Sequence, residues 1–105
     1  MPKYAIDFNQ FDWEETAPGM KQKIFVVGKN RIRLLRLDAD FAEQRWCTKG
    51  HTGYVMSGDV TIEFEDSSLE IKSGNGLYIS GGDESRHKAK AANGKPATLI
   101  LFEEA

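Results

Sequence analysis

The chain has two histidines, His51 and His87, and one cysteine, Cys47, the residue types suited to ligating a metal or moving a proton near neutral pH. Around His87 the residues run Ser85-Arg86-His87-Lys88-Ala89-Lys90-Ala91. Strand side chains alternate faces, so Arg86, Lys88 and Lys90 are expected toward water and Ser85, His87, Ala89 and Ala91 toward the interior. An imidazole among such small neighbours is a poor hydrophobic plug and suits the wall of a cavity. His51 lies in a second short strand, Gly50 to Ser57, also with one inward face. A hydrolytic Cys47–His pair is rejected, because nothing supplies a nucleophile elbow or an evident oxyanion hole.

The elements that must position these residues are read from period-two alternation. Strands are expected at Lys21 to Gly28, Arg31 to Leu37, Gly50 to Ser57, Val60 to Glu65, Leu69 to Lys72, Leu77 to Ile79, Ser85 to Ala91 and Ala97 to Glu103. Ile32 and Leu34 share one face while Leu35 and Leu37 share the other, which suggests a bulge near Leu34. Asp38 to Glu43 is too short for a stable helix of its own. Eight of the ten glycines lie from Gly50 onward, and no proline falls between Gly19 and Lys95. Glycine punctuates hairpins and proline is expelled from central strands, so a meander of antiparallel strands with tight turns is expected. The fold class is therefore all-β, a sandwich or barrel of about eight or more strands. Trp13 and Trp46 are expected to cap its ends.

A chain of 105 residues makes one domain, with residues 1–20 as an N-terminal arm or strand and 21–103 as the barrel. The net charge of −2 leaves no basic excess for a nucleic acid. Arg86, Lys88 and Lys90 interleave with alanine and not with stacking aromatics, which fits a solvated strand face. The apolar run Ile24 to Val27 is far short of a membrane span, and Met1 to Gln10 lack the apolar centre of a secretory signal. A single cysteine excludes an internal disulfide framework, so a reducing, cytoplasmic setting is expected. The last strand, Leu99-Ile100-Leu101-Phe102, is apolar on both faces. It must be covered outside by the N-terminal segment or by a second subunit, which makes a homodimer the expected assembly.

Two stretches resemble the paired motifs of the cupin superfamily, small jelly-roll barrels that often hold a metal. In Arg45-Trp46-Cys47-Thr48-Lys49-Gly50-His51-Thr52-Gly53-Tyr54-Val55-Met56-Ser57-Gly58, counting back from Gly58 puts His51 where the first motif has its glutamate. In Gly74-Asn75-Gly76-Leu77-Tyr78-Ile79-Ser80-Gly81-Gly82-Asp83-Glu84-Ser85, Ser85 falls where the second motif has its histidine, with His87 two positions on. The family's His-x-His pair falls on Gln44-Arg45-Trp46-Cys47, which offers Cys47 as the one metal donor. The resemblance covers residues 20 to 103 and implies a double-stranded β-helix. It also implies a site in which His51, His87 and Cys47 hold zinc, iron, manganese or nickel with a position open to water. The pocket would be lined by His51, His87, Ser85 and an arginine, Arg36, which lies with Arg31 and Arg33 about the expected bulge.

Three functional classes follow. One is a small cupin enzyme whose metal polarises a substrate oxygen in isomerase, lyase or dioxygenase chemistry. A second is a metal-free module that holds a small polar or anionic ligand by hydrogen bonds. The third is a structural or regulatory domain that assembles through the outer face near Leu99 to Phe102.

Overall fold

The computed structural model describes residues 4–105, so residues 1–3 of the expected N-terminal arm lie outside the described residues. The strands are β1 (Glu14–Ala17), β2 (Met20–Val27), β3 (Asn30–Leu37), β4 (His51–Ser57), β5 (Val60–Glu63), β6 (Ser68–Ile71), β7 (Gly76–Ile79), β8 (Lys88–Ala91) and β9 (Ala97–Glu104). They form two antiparallel sheets, one of order β1-β2-β3-β9-β4-β7 and one of order β6-β5-β8. No α-helix occurs among the described residues. This is the all-β architecture that the alternation and glycine spacing predict, rolled into the jelly roll that the motif resemblance implies.

The core lies between the sheets. Leu35 and Leu37 of β3, Val55 of β4, and Ala97, Leu99 and Leu101 of β9 face Val60, Ile62 and Ile71 of the smaller sheet. Removing these side chains from water is the main drive to close one sheet over the other. Val55, Val60 and Leu37 are sealed completely, with at most 1% exposure.

The bulge expected near Leu34 is absent. Pairing of β3 with both β2 and β9 is unbroken from Asn30 to Leu37. β3 is central and carries apolar groups on both faces, so its change of apolar parity needs no extra residue. Arg31, Arg33, Leu35 and Leu37 share the inner face, and Ile32, Leu34 and Arg36 the outer. The register slips instead in β4, between Val55 and Ser57.

The tryptophans do not serve as buried caps, since Trp13 is 41% and Trp46 39% exposed. Each ring instead carries a cation: Lys23 Nζ stands 4.8 Å from the Trp13 centroid and Lys88 Nζ 4.7 Å from that of Trp46. The N-terminal segment folds onto the outer face of the large sheet through Phe11, whose ring lies 6.3 Å from that of Phe25. Phe102 of β9 stays 48% exposed on that same face.

Candidate metal centre

Three chain segments bring the site together. Cys47 and His87 form an isolated antiparallel bridge, with Cys47 N–H donating to the His87 carbonyl at 2.8 Å and His87 N–H to the Cys47 carbonyl at 3.0 Å. Residues paired in this way project to the same side. His51 starts β4 opposite Ile79 of β7. Gly50 and Gly81 let these segments pass closely, because a Cβ on Gly50 would lie 2.9 Å from the Gly81 nitrogen. Gly82 N–H then ties the second motif to the Thr48 carbonyl at 2.8 Å. The motif glycines thus pin the Cys47 loop against the exit of β7.

The donor atoms of Cys47, His51 and His87 all lie within 4.8 Å of one another. Cys47 Sγ is 3.6 Å from His51 Nε2, and the two imidazole rings meet edge to face at 5.2 Å. His87 is 2% exposed, and its Nδ1 donates to the Ser85 carbonyl at 2.9 Å, which leaves Nε2 for the cluster. The donor types suit a tetrahedral ion, and the Cys47–His51 pair has the matching spacing. Bonds of about 2.3 Å to sulfur and about 2.0 Å to nitrogen separate two such ligands by about 3.5 Å, close to the sulfur–nitrogen distance found.

Behind His51 stands Glu103, with Oε2 2.5 Å from Nδ1 and its side chain only 3% exposed. Arg33 grips the same carboxylate twice, Nε to Oε1 at 2.7 Å and Nη2 to Oε2 at 3.0 Å, and its Nη1 donates to Gln22. Arg31 Nη2 adds a contact to Oε1 at 3.0 Å. Burial alone would raise the Glu103 carboxyl. Hydrogen bonds from His51 and Arg33, with the charge of Arg33 and that of His51 when its ring is protonated at low pH, outweigh it and lower the pKa from 4.5 to about 2.

Two of the residues expected in the pocket sit elsewhere. Arg36 is exposed on the outer face, with Nη1 3.4 Å from Thr98 Oγ1. With no bulge in β3, even-numbered positions face out, and the arginines turned inward are Arg31 and Arg33. Ser85 belongs to a 3-10 turn, Asp83–Ser85, rather than to a strand. That turn aims its hydroxyl at Ser80 Oγ, 2.9 Å away, so Ser85 serves the site through its carbonyl. Glu103 was not singled out from the sequence. Its signal is parity, since it continues the inward face of Leu99 and Leu101, but only the pairing of Arg31 with Glu103 across β3 and β9 shows what it meets.

Two hollows meet at His51. A small internal cavity of about 50 Å³ is lined by Arg33, Leu35, His51, Ile62, His87 and Leu101, among others. An open groove of about 690 Å³ includes Arg31, His51, Tyr78, Phe102 and Glu104 in its walls.

No protein-family model matches the chain, and no curated protein matches it. Solved structures do. KdgF from Halomonas sp. superimposes with a TM-score of 0.76 at 18% identity, over 100% of this chain and 96% of that one. The polyketide cyclase RemF from Streptomyces resistomycificus gives 0.81 at 14% identity, over 99% and 80%. A sugar phosphate isomerase of the cupin superfamily from Silicibacter pomeroyi gives 0.77 at 12% identity, over 93% and 73%. The chain therefore shares the jelly-roll fold of these cupin structures.

Proposed function

We propose that this chain is a small metal-dependent cupin in which Cys47, His51 and His87 hold one divalent transition metal beside a site for a small polar or anionic molecule. Of the ions considered, zinc, iron and nickel suit a thiolate–imidazole donor set, whereas manganese favours oxygen ligands. The observation that carries the reading is the convergence of the chain's one thiol and both its imidazoles within 4.8 Å. When bound, the ion would supply Lewis-acid polarisation of a substrate oxygen.

The protein's own groups do the remaining work. The Ser85 carbonyl holds His87, and the strand bridge fixes Cys47 beside it. The internal cavity has room for about one or two waters at roughly 30 Å³ each, so the organic ligand belongs in the open groove on the other side of His51. Arg31, at the wall of that groove, is the cation available to an anionic ligand there. The fold shared with a sugar phosphate isomerase and a polyketide cyclase supports isomerase- or lyase-type chemistry on an oxygenated molecule.

Self-association through the outer face of the large sheet belongs to the same proposal. Tyr54, Tyr78 and Phe102 are 46%, 74% and 48% exposed there, and a second copy would cover them. Light scattering of the purified chain tests this, and a monomer at micromolar concentration contradicts it. A reducing, cytoplasmic setting suits a site that needs a free thiol. No helix among the described residues is long and apolar enough to cross a membrane.

Elemental analysis of tag-free protein purified without chelator tests the metal reading. One equivalent of metal per chain is expected, with thermal stabilisation by added zinc, nickel, manganese or iron that chelator reverses. No stoichiometric metal and no response to any of these ions would contradict it. Metabolite binding that survives chelator would favour the metal-free module.

A further inference from the structure

We propose that Glu103 is the positioning residue of His51: clamped by Arg31 and Arg33, it fixes the imidazole with its proton on Nδ1 and turns the Nε2 lone pair toward Cys47 and His87. The inference rests on the metal reading for its consequence, but its geometry stands apart from any ion. Glu103 Oε1 accepts from Arg31 Nε at 3.2 Å and Arg33 Nε at 2.7 Å, and Arg31 Nη2 stands 3.0 Å from it as an ion pair. Its Oε2 accepts from Arg33 Nη2 at 3.0 Å and faces His51 Nδ1 at 2.5 Å. A carboxylate surrounded by donors can only accept, so the proton in the short contact lies on the ring nitrogen.

The tautomer follows. With hydrogen on Nδ1, the other nitrogen is left basic and unprotonated, the form a metal ligand requires. That nitrogen is the one 3.6 Å from Cys47 Sγ. His87 reaches the same state by a different device, the Ser85 carbonyl. Each imidazole thus has an acceptor behind it, one a backbone carbonyl and one a buried, doubly clamped carboxylate. Arg33 spends its donors on Glu103 and Gln22, which makes it a brace for this carboxylate.

The substitution Glu103→Gln separates the roles. Two arginine donors and a third arginine nitrogen converge on Oε1, so the amide oxygen takes that place and the NH2 faces His51. It then donates to Nδ1 and drives the ring proton onto Nε2, into the metal site. Ring-nitrogen correlation spectra of 15N-labelled, chelator-stripped protein at pH 8 read this directly. The expected result is Nδ1–H for His51 in the parent and Nε2–H in E103Q, with His87 at Nδ1–H in both. Cobalt(II) affinity should fall roughly 10–100-fold in E103Q.

A parent His51 with its proton on Nε2 overturns the proposal, whether or not metal binds. A parent with Nδ1–H that takes up no cobalt overturns the metal reading and leaves the positioning role standing. Where E103Q fails to fold, Glu103→Asp keeps a charge for the arginines but withdraws it from the ring. Cobalt binding should then weaken and the single tautomer become a mixture. Parent-like behaviour in E103D overturns the proposal.

Discussion

His51 Nδ1 lies 2.5 Å from Glu103 Oε2, joining residues 52 positions apart in sequence. The contact ties the start of β4 to the end of β9, and the arginines of β3 extend it across a third strand. Charge, packing and the candidate site are therefore linked at one carboxylate.

That carboxylate makes stability depend on pH in a set direction. Its folded pKa of about 2 lies below the ordinary 4.5, so its stabilisation is fully present above pH 4.5. It is lost as pH falls through the folded value and is absent below it, a contribution of roughly 3 kcal/mol by linkage. Urea denaturation between pH 6 and pH 2 should show the stability gap between parent and E103Q closing over that window. A gap that stays constant contradicts the assignment.

The two faces of β3 predict opposite outcomes for neighbouring arginines. Arg33→Ala leaves the buried Glu103 short of its strongest partner and should cost about 3 kcal/mol. Arg36→Ala removes an exposed side chain with one long contact and should stay within about 0.5 kcal/mol of the parent. Equal effects in chemical denaturation would reject the inward assignment of Arg33.

How far the sequence carried the site can be judged from these residues. The convergence of His51 and His87 was legible because His51 opens a strand and His87 directly precedes one, so the inward parity of each can be counted, and the motif glycines set the turns. Cys47 was legible as a donor type, but its bridge to His87 depends on a loop with no periodicity. Arg36 and Ser85 were misplaced for local reasons: a parity change that resembled a bulge, and a 3-10 turn that delays the strand until Lys88. Glu103 was hidden because its partners come from β3, about 70 residues earlier, and only inter-strand register brings them together.

Gly53 should be intolerant of any side chain. A Cβ there would lie 2.1 Å from the Ile100 carbonyl oxygen, forcing β4 away from β9. Gly53→Ala should lose about 2 kcal/mol or more and weaken metal binding, since His51 is two residues away on the displaced strand. A variant with parent-like melting and metal uptake would contradict the close approach.

Cys47→Ser should retain the fold, because the bridge to His87 is made by backbone groups. Cobalt binding should weaken at least tenfold, and the near-ultraviolet absorption characteristic of sulfur ligation should vanish. Unaltered cobalt spectra would remove the thiol from the site.

X-ray absorption at the zinc edge, on protein loaded with one equivalent, tests the central claim most directly. The account predicts one sulfur at about 2.3 Å and nitrogen or oxygen neighbours at about 2.0 Å, with the sulfur lost in Cys47→Ser and imidazole scattering reduced in His51→Ala and His87→Ala. A shell with no sulfur, or a spectrum unchanged by all three substitutions, would contradict it.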